Sequence, residues 1–304
     1  MTSKGRDMTD TRSAAAAADL PPRRLVELPA VAIDLRGCGR SARPAAVEQC
    51  RMLAHVADNV ALVRALGEER AVVIGHDVGA TIAADSALLR PDLFTAVAML
   101  GVPYAPRGGA RPTELFARLG GEEEFYVSYF QQPGRAEAEI ERDVRGWLAG
   151  FYAALSADTM GEAAGAHAFI APGGEMRDRF PDGARPRWLS EEELDRDAAE
   201  LERGGLAGPL ARYRNIDRDW EDLAPWDGAP IRQPSLFVGG ALDPSTTWMA
   251  DAIAAFPATL PGLVASHLLD GCGHWLQRER PEQFNEILVD WLARLPAAGC
   301  GRSR

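Results

Sequence analysis

Between residues 30 and 101 the apolar positions fall into short runs separated by a longer stretch of helical periodicity. AVAI at 30–33, AVVIG at 71–75 and TAVAMLG at 95–101 have the length of buried strands. Between the first two, Val47, Met52, Leu53, Val56, Val60 and Val63 recur at helical spacing, which predicts a helix from Ala45 to Leu66 with Gly67 as its stop. A second helix is predicted from Gly79 to just before Pro91. Strands that alternate with helices imply a parallel sheet with right-handed crossovers.

From Pro103 to Pro234 the pattern changes, and helical segments and Gly/Pro-rich loops dominate. Within this stretch SEEELDRDAAELERG opens with Ser190 and Glu193 at capping-box spacing. Alternation resumes with PSLFVGG at 234–240, a helix from Thr247 to Ala255, LVASHLL at 263–269 and an amphipathic helix from Pro281 to Leu295. The expected organisation is an irregular leader (1–28), the first part of an α/β core (29–103), an inserted helical lid (104–230), the second part of the core (231–298) and a tail (299–304).

Composition narrows the function classes. With 46% apolar and 25% charged residues in 304, the chain reads as a globular protein able to bury a sizeable core. Its formal charge of -11, from 33 basic and 44 acidic residues, argues against a nucleic acid partner and against an anionic membrane surface. No apolar run approaches the roughly 20 residues that cross a bilayer. Cys38, Cys50, Cys272 and Cys300 lack CxxC spacing and read as reduced thiols, so a cytoplasmic location is expected.

Three segments carry candidate chemistry. In VVIGHDVGA a strand meets a helix through Gly75-His76-Asp77-Val78-Gly79, the layout of a nucleophile elbow with Asp77 at its centre. The small residues Gly75 and Gly79 suit a tight turn, and the helix N-terminus favours an anion. ALDP places Asp243 directly after a strand, and DGCGHWLQRERPEQF presents His274 in a Gly-rich loop before the last helix. Taken singly, either Asp could be a helix cap and His274 a structural imidazole. Their order, nucleophile then acid then histidine, at the carboxyl ends of predicted strands favours a triad. A carboxylate that attacks an alkyl carbon leaves a hydrolysable ester, whereas a serine would leave a stable ether. His76 is expected to point away from Asp77 and to pack. His55, His167 and His267 have no partners at metal-ligand spacing, and no phosphate-binding loop pattern occurs, so neither metal nor cofactor is expected.

DLRGCGRSARP, IGHDVGA, FYVSYFQQPGRAEAEIERD, YRNIDRDW, FVGGALDP and GCGHWLQRERPEQFN, spread in order from about Val31 to Leu295, resemble the soluble epoxide hydrolase family of the α/β-hydrolase superfamily. The resemblance implies an α/β-hydrolase core with a mostly parallel sheet and an inserted helical lid. It also implies Asp77 as nucleophile, Asp243 and His274 as its partners, and Tyr126 and Tyr213 of the lid as donors to the epoxide oxygen. The Val78 backbone N–H would serve the oxyanion. A small apolar epoxide and water would be the substrates, and a vicinal diol the product. Relatives of this kind begin with further strands and an HGxP segment that supplies a second oxyanion donor, and this sequence contains no HG followed by proline. The expectations are a start placed too late, a deletion that impairs activity, or a rearranged N-terminus. Two other readings stand beside the epoxide hydrolase. One is a haloalkane or haloacid dehalogenase, which would hold a halide with lid tryptophan or asparagine N–H groups; Tyr126 and Tyr213 argue against it. The other is a non-catalytic small-molecule-binding protein on a hydrolase scaffold, against which the intact triad argues.

Overall fold

Four of the apolar runs become the strands of one parallel sheet in the computed structural model, which describes residues 30–296 apart from 162–163 and 184. The chain divides into two compact units at Ile33. Residues 30–33 of the first unit carry no strand, a departure from the expectation for AVAI. An extended apolar run becomes a strand only when a neighbour completes its ladder, and this one has no ladder partner among the described residues. The whole of the expected leader and of the expected tail lies outside the described residues.

The second unit begins its regular structure with a short 3₁₀ turn, Val47–Cys50, and helix α1, Met52–Ala65. Strand β1 (Ala71–His76), helix α2 (Val78–Leu89) and strand β2 (Phe94–Leu100) follow. The single helix expected over 45–66 is broken at Arg51, whose backbone is extended at φ -74° and ψ 163°. The cause is tertiary: the Asp219 carboxylate accepts the Met52 N–H at 2.6 Å and so caps α1 from another part of the chain.

A predominantly helical stretch comes next: α3 (Pro112–Gly120), a two-residue strand β3 (Glu124–Phe125), α4 (Tyr126–Tyr129), α5 (Arg135–Ile140) and α6 (Val144–Ala154). It continues through β4 (Phe169–Ile170), antiparallel to β3, and α7 (Glu191–Gly204), α8 (Ala207–Tyr213) and α9 (Ile216–Asp222). Ser190 and Glu193 form the expected capping box at the start of α7. The chain then returns to the sheet with β5 (Ser235–Gly240), three short helices α10 (Pro244–Trp248), α11 (Ala250–Ala254) and α12 (Phe256–Thr259), strand β6 (Leu263–Leu269), α13 (Leu276–Glu279) and α14 (Pro281–Arg294). One helix from 247 to 255 was the expectation. The chain instead leaves helical geometry at Met249, φ -108° and ψ 25°, between α10 and α11.

The sheet order is β1-β2-β5-β6, with Val73 beside Val97, Ala98 beside Leu236 and Val238 beside His267. Val56 and Val60 of α1 and Ala83 of α2 share one buried cluster with Val97, Met99 and Phe237. The alternate strand positions Ala98, Leu236 and Val238 share another with Phe284 and Trp291 of α14. Strand alternation thus gives each sheet face its own helical layer. All four strands run parallel, so their carboxyl ends share one edge, and the loops that leave that edge carry Asp77, Asp243 and His274.

The helical stretch has a separate core of Tyr129, Ile140, Trp147, Ile170, Met176 and Leu194. Glu139, 1% exposed, is its polar centre. Its carboxylate accepts the Tyr129 hydroxyl at 2.6 Å, Trp147 Nε1–H at 2.8 Å, and the backbone N–H groups of Met176 at 3.2 Å and Arg177 at 2.9 Å. Burying a carboxylate is tolerable only with such saturation. Replacing Glu139 by Ala strands these donors, and at about 1–3 kcal/mol for each unsatisfied buried group the loss should be at least about 3 kcal/mol. Urea denaturation of Glu139→Ala measures it; a midpoint equal to that of the wild type would contradict the role given to Glu139.

Candidate active site

Residues 75–79 bend from β1 into α2 within a single residue. Asp77 has φ 53° and ψ -121°, and among the described residues it is the one non-glycine with positive φ. The turn is pinned on both sides: the Asp77 N–H donates to the Leu100 carbonyl of β2 at 3.0 Å, and the Ala80 N–H donates to the Asp77 carbonyl at 2.9 Å. A Cβ built on Gly75 would lie 1.8 Å from the Gly79 oxygen, so only glycine fits there. Gly79 itself has open space around a Cβ, so the expectation that both glycines are sterically required is corrected to Gly75 alone. Val78 opens α2, and its N–H belongs to the first-turn donors that a helix cannot satisfy internally.

The His274 ring lies between two carboxylates. Its Nδ1–H donates to Asp243 Oδ2 at 2.9 Å, and Nε2 lies 3.6 Å from Asp77 Oδ1. Asp243 is fully buried, His274 nearly so, and Asp77 keeps 44% of its side-chain surface accessible. The cap and triad readings of Asp243 turn out to be compatible, since its other oxygen accepts the Ser245 N–H at the start of α10 at 2.9 Å. Burial opposes a charge on His274, but the Asp243 charge and hydrogen bond, together with the Asp77 charge, outweigh it and lift the imidazole to about 9.

His76 packs, and it does so against His274 and Trp275. Its ring centroid is 4.6 Å from that of His274, and its Nε2–H donates to the His274 carbonyl at 2.8 Å. Burial, reinforced by the His274 charge, holds His76 down at about 4, so it stays neutral beside a charged neighbour. Trp275 packs edge-on against His274 at 5.0 Å and donates its Nε1–H to the Tyr152 carbonyl at 3.2 Å. Neither contact was readable from the sequence, because one depends on the loop after β6 meeting β1 and the other on its meeting α6.

Tyr126 begins α4 and Tyr213 ends α8, and their rings meet edge to face with centroids 6.0 Å apart. Burial raises both phenols above the ordinary tyrosine range, and the Asp77 charge adds to the rise in each. Both therefore keep their protons at neutral pH, as hydrogen-bond donors must. Phe125 and Phe130 flank Tyr126, and Trp248 packs against Phe125 at 5.5 Å. No set of three or more His, Cys, Asp or Glu side chains forms a metal-ligating group among the described residues.

This architecture, with a sharply bent Asp after one strand, an acid after another and a histidine after the last, defines an α/β-hydrolase. A model of the alpha/beta hydrolase fold matches residues 29–281. Epoxide hydrolase A of Mycobacterium tuberculosis is 40% identical over 267 residues, which span 87% of this chain and 82% of that one. Among solved structures, an epoxide hydrolase from an endophytic Streptomyces superposes with a TM-score of 0.84 at 67% identity, covering 86% of this chain and 79% of the other. Epoxide hydrolase A from Mycobacterium thermoresistibile gives a TM-score of 0.80 at 40% identity, covering 86% and 82%. The chain belongs to the epoxide hydrolase family of α/β-hydrolases.

Two measurements check the electrostatics and the turn. A histidine whose folded value is raised from 6.5 to about 9 contributes stability that is fully present below 6.5 and lost as pH rises through about 9. The unfolding free energy should therefore fall across that window in the wild type and lose this component in His274→Gln; equal pH dependence in the two proteins would refute the charge assignment. In thermal denaturation, Gly79→Ala should be neutral or stabilising by up to about 1 kcal/mol. Gly75→Ala should cost more than about 4 kcal/mol or prevent folding, and comparable midpoints would show that the turn is looser than described.

Proposed function

We propose that the protein opens an epoxide to a vicinal diol by way of an ester on Asp77. The observation that carries this reading is the placement of an accessible carboxylate, Asp77, against His274 on one side, with two protonated phenols whose acidity responds to its charge. An Asp77 oxygen attacks a ring carbon and the strained C–O bond breaks. Tyr126 and Tyr213 donate to the oxygen as it becomes an alkoxide, one of them passes it a proton to leave a hydroxyalkyl ester, and that phenol regains the proton from the charged His274 by way of solvent.

His274, held by Asp243, then takes a proton from water, which adds to Cγ of Asp77. The oxyanion that forms is met by the Val78 N–H. Collapse breaks the bond from Cγ to the ester oxygen and the diol leaves with the proton from His274, while the acid proton left on Asp77 passes to His274, which restores the carboxylate and the charged imidazole. Forming the ester removes the Asp77 charge, which is one of the causes that raise His274, so alkylation favours the neutral imidazole needed as base. On this reading the stretch from 104 to 230 is the lid that brings the tyrosines over the sheet edge, the core lies on either side of it, and no cofactor takes part. The substrate is small and mostly apolar, in keeping with the aromatic surround of Tyr126. The unpaired thiols Cys38, Cys50 and Cys272, with no helix among the described residues long and apolar enough to cross a membrane, support a cytoplasmic setting.

The dehalogenase reading requires free N–H donors in the lid. Of the four tryptophans in that stretch, Trp147, Trp188 and Trp220 spend theirs on Glu139 at 2.8 Å, Ser156 at 3.1 Å and Gly108 at 2.7 Å, with Trp226 the exception, and Asn215 bonds to the Ala211 carbonyl at 2.9 Å. The hydroxyls of Tyr126 and Tyr213 carry no such internal bond among the described residues. Mass spectrometry of His274→Gln incubated with styrene oxide should show one styrene oxide added to the peptide that contains Asp77, while the wild type yields phenylethanediol. Bromide release from 1-bromobutane without diol formation would favour the dehalogenase, and absence of adduct and of turnover would favour a binding protein.

A further inference from the structure

His274 works from a loop, and a loop is a poor platform for a base unless its backbone is fixed. In this chain the fixing is done largely by one side chain, Glu279 at the end of α13. Its Oε2 accepts the N–H of Gly273 at 2.9 Å and that of Ala157 at 2.9 Å, while its Oε1 accepts the N–H of Trp275 at 3.1 Å. Gly273 and Trp275 are the residues on either side of His274, and Ala157 belongs to the turn after α6. The same turn supplies the Leu155 carbonyl, which accepts the His274 N–H at 2.9 Å. The approach is close enough that a Cβ on Gly273 would lie 2.4 Å from the Leu155 oxygen.

From these contacts we infer that Glu279 is a positioning residue for His274, tying its loop to the 155–157 turn so that the imidazole stays between Asp243 and Asp77. The inference rests on the reaction proposed above, and it concerns the two halves of that reaction unequally. Attack of Asp77 on the ring carbon uses the tyrosines and needs no base. Attack of water on the ester needs Nε2 within hydrogen-bond reach of that water, so loosening the loop slows the second half alone. The Glu279 side chain bonds only to backbone N–H groups, and its charge is the last of the causes that raise His274, so its effect passes chiefly through backbone.

A kinetic split isolates this role from a general loss of structure. When only ester hydrolysis slows, kcat and KM fall together and kcat/KM, which reports alkylation, is retained. When a fraction of the protein simply fails to fold, kcat and kcat/KM fall by the same factor. With styrene oxide, Glu279→Ala should lower kcat by on the order of tenfold or more, given that a misplacement of about 1 Å can cost a hundredfold. Its kcat/KM should stay within about twofold, and mass spectrometry during turnover should show the ester on Asp77 accumulating. Glu279→Gln keeps one acceptor oxygen and should lie between the wild type and Glu279→Ala; it serves as the test variant if the alanine protein does not fold. Unchanged kcat, or a parallel fall of kcat and kcat/KM, in a wild type that does pass through the ester overturns the assignment to Glu279 and leaves the reaction standing. A wild type that forms neither ester nor diol overturns both.

Discussion

A residue with φ 53° and ψ -121° is held against a conformational cost of about 1–3 kcal/mol, and in this chain that residue is Asp77. The cost is met by parts that would have little purpose without it. The Leu100 carbonyl receives the Asp77 N–H, the Ala80 N–H returns to the Asp77 carbonyl, and Gly75 removes the side chain that would collide with Gly79. The result is a carboxylate lifted off the end of strand β1, partly open to solvent, with a helix N-terminus beneath it. Relaxing that one turn would carry Asp77 away from His274 and leave the acid and the phenols without a partner.

The imidazole is fixed as thoroughly as the carboxylate it faces. Its Nδ1 belongs to Asp243, its backbone N–H to Leu155 and its carbonyl to His76, while the neighbouring amides converge on Glu279. These partners come from β1, from the α6 turn and from the β5–α10 junction, so the site holds distant parts of the sequence together. The helical stretch has its own polar anchor in Glu139, whose bonds to Tyr129 and to the backbone at Met176 and Arg177 bind α4, α5 and the 176–177 turn into one body. Tyr126 begins α4 within that body, and Tyr213, at the end of α8, packs against the same core.

Much of this was legible in the residues. The four strands could be read because apolar runs of this length mark strands, although β2 and β5 are the buried ones while β1 and β6 leave alternate positions such as Ile74 and Leu268 exposed, and the α7 capping box because Ser190 and Glu193 announce it locally. Asp77, Asp243 and His274 stood out through their order and their positions after strands. What escaped was set by distant contacts. The start of α1 depends on Asp219, more than 160 positions away. The 244–259 region breaks into three short helices, and Ala30–Ile33 forms no strand, although the local pattern favoured regular structure in each. His76 and Glu279 act through backbone groups of the His274 loop, and a side chain that recognises backbone leaves no mark in its partner's sequence. Gly79 was legible as small but not as dispensable, because the space around it is visible only in three dimensions.

The central claim is that the bond to carbon is made by Asp77 and that water attacks the resulting ester. One turnover in ¹⁸O-labelled water, with enzyme in excess over styrene oxide, tests it directly. The diol from that turnover should be unlabelled, its new oxygen having come from the Asp77 carboxylate, and the heavy isotope should be found in the peptide containing Asp77. Label in the diol with none in the peptide would mean that water opened the ring itself, and would contradict the account.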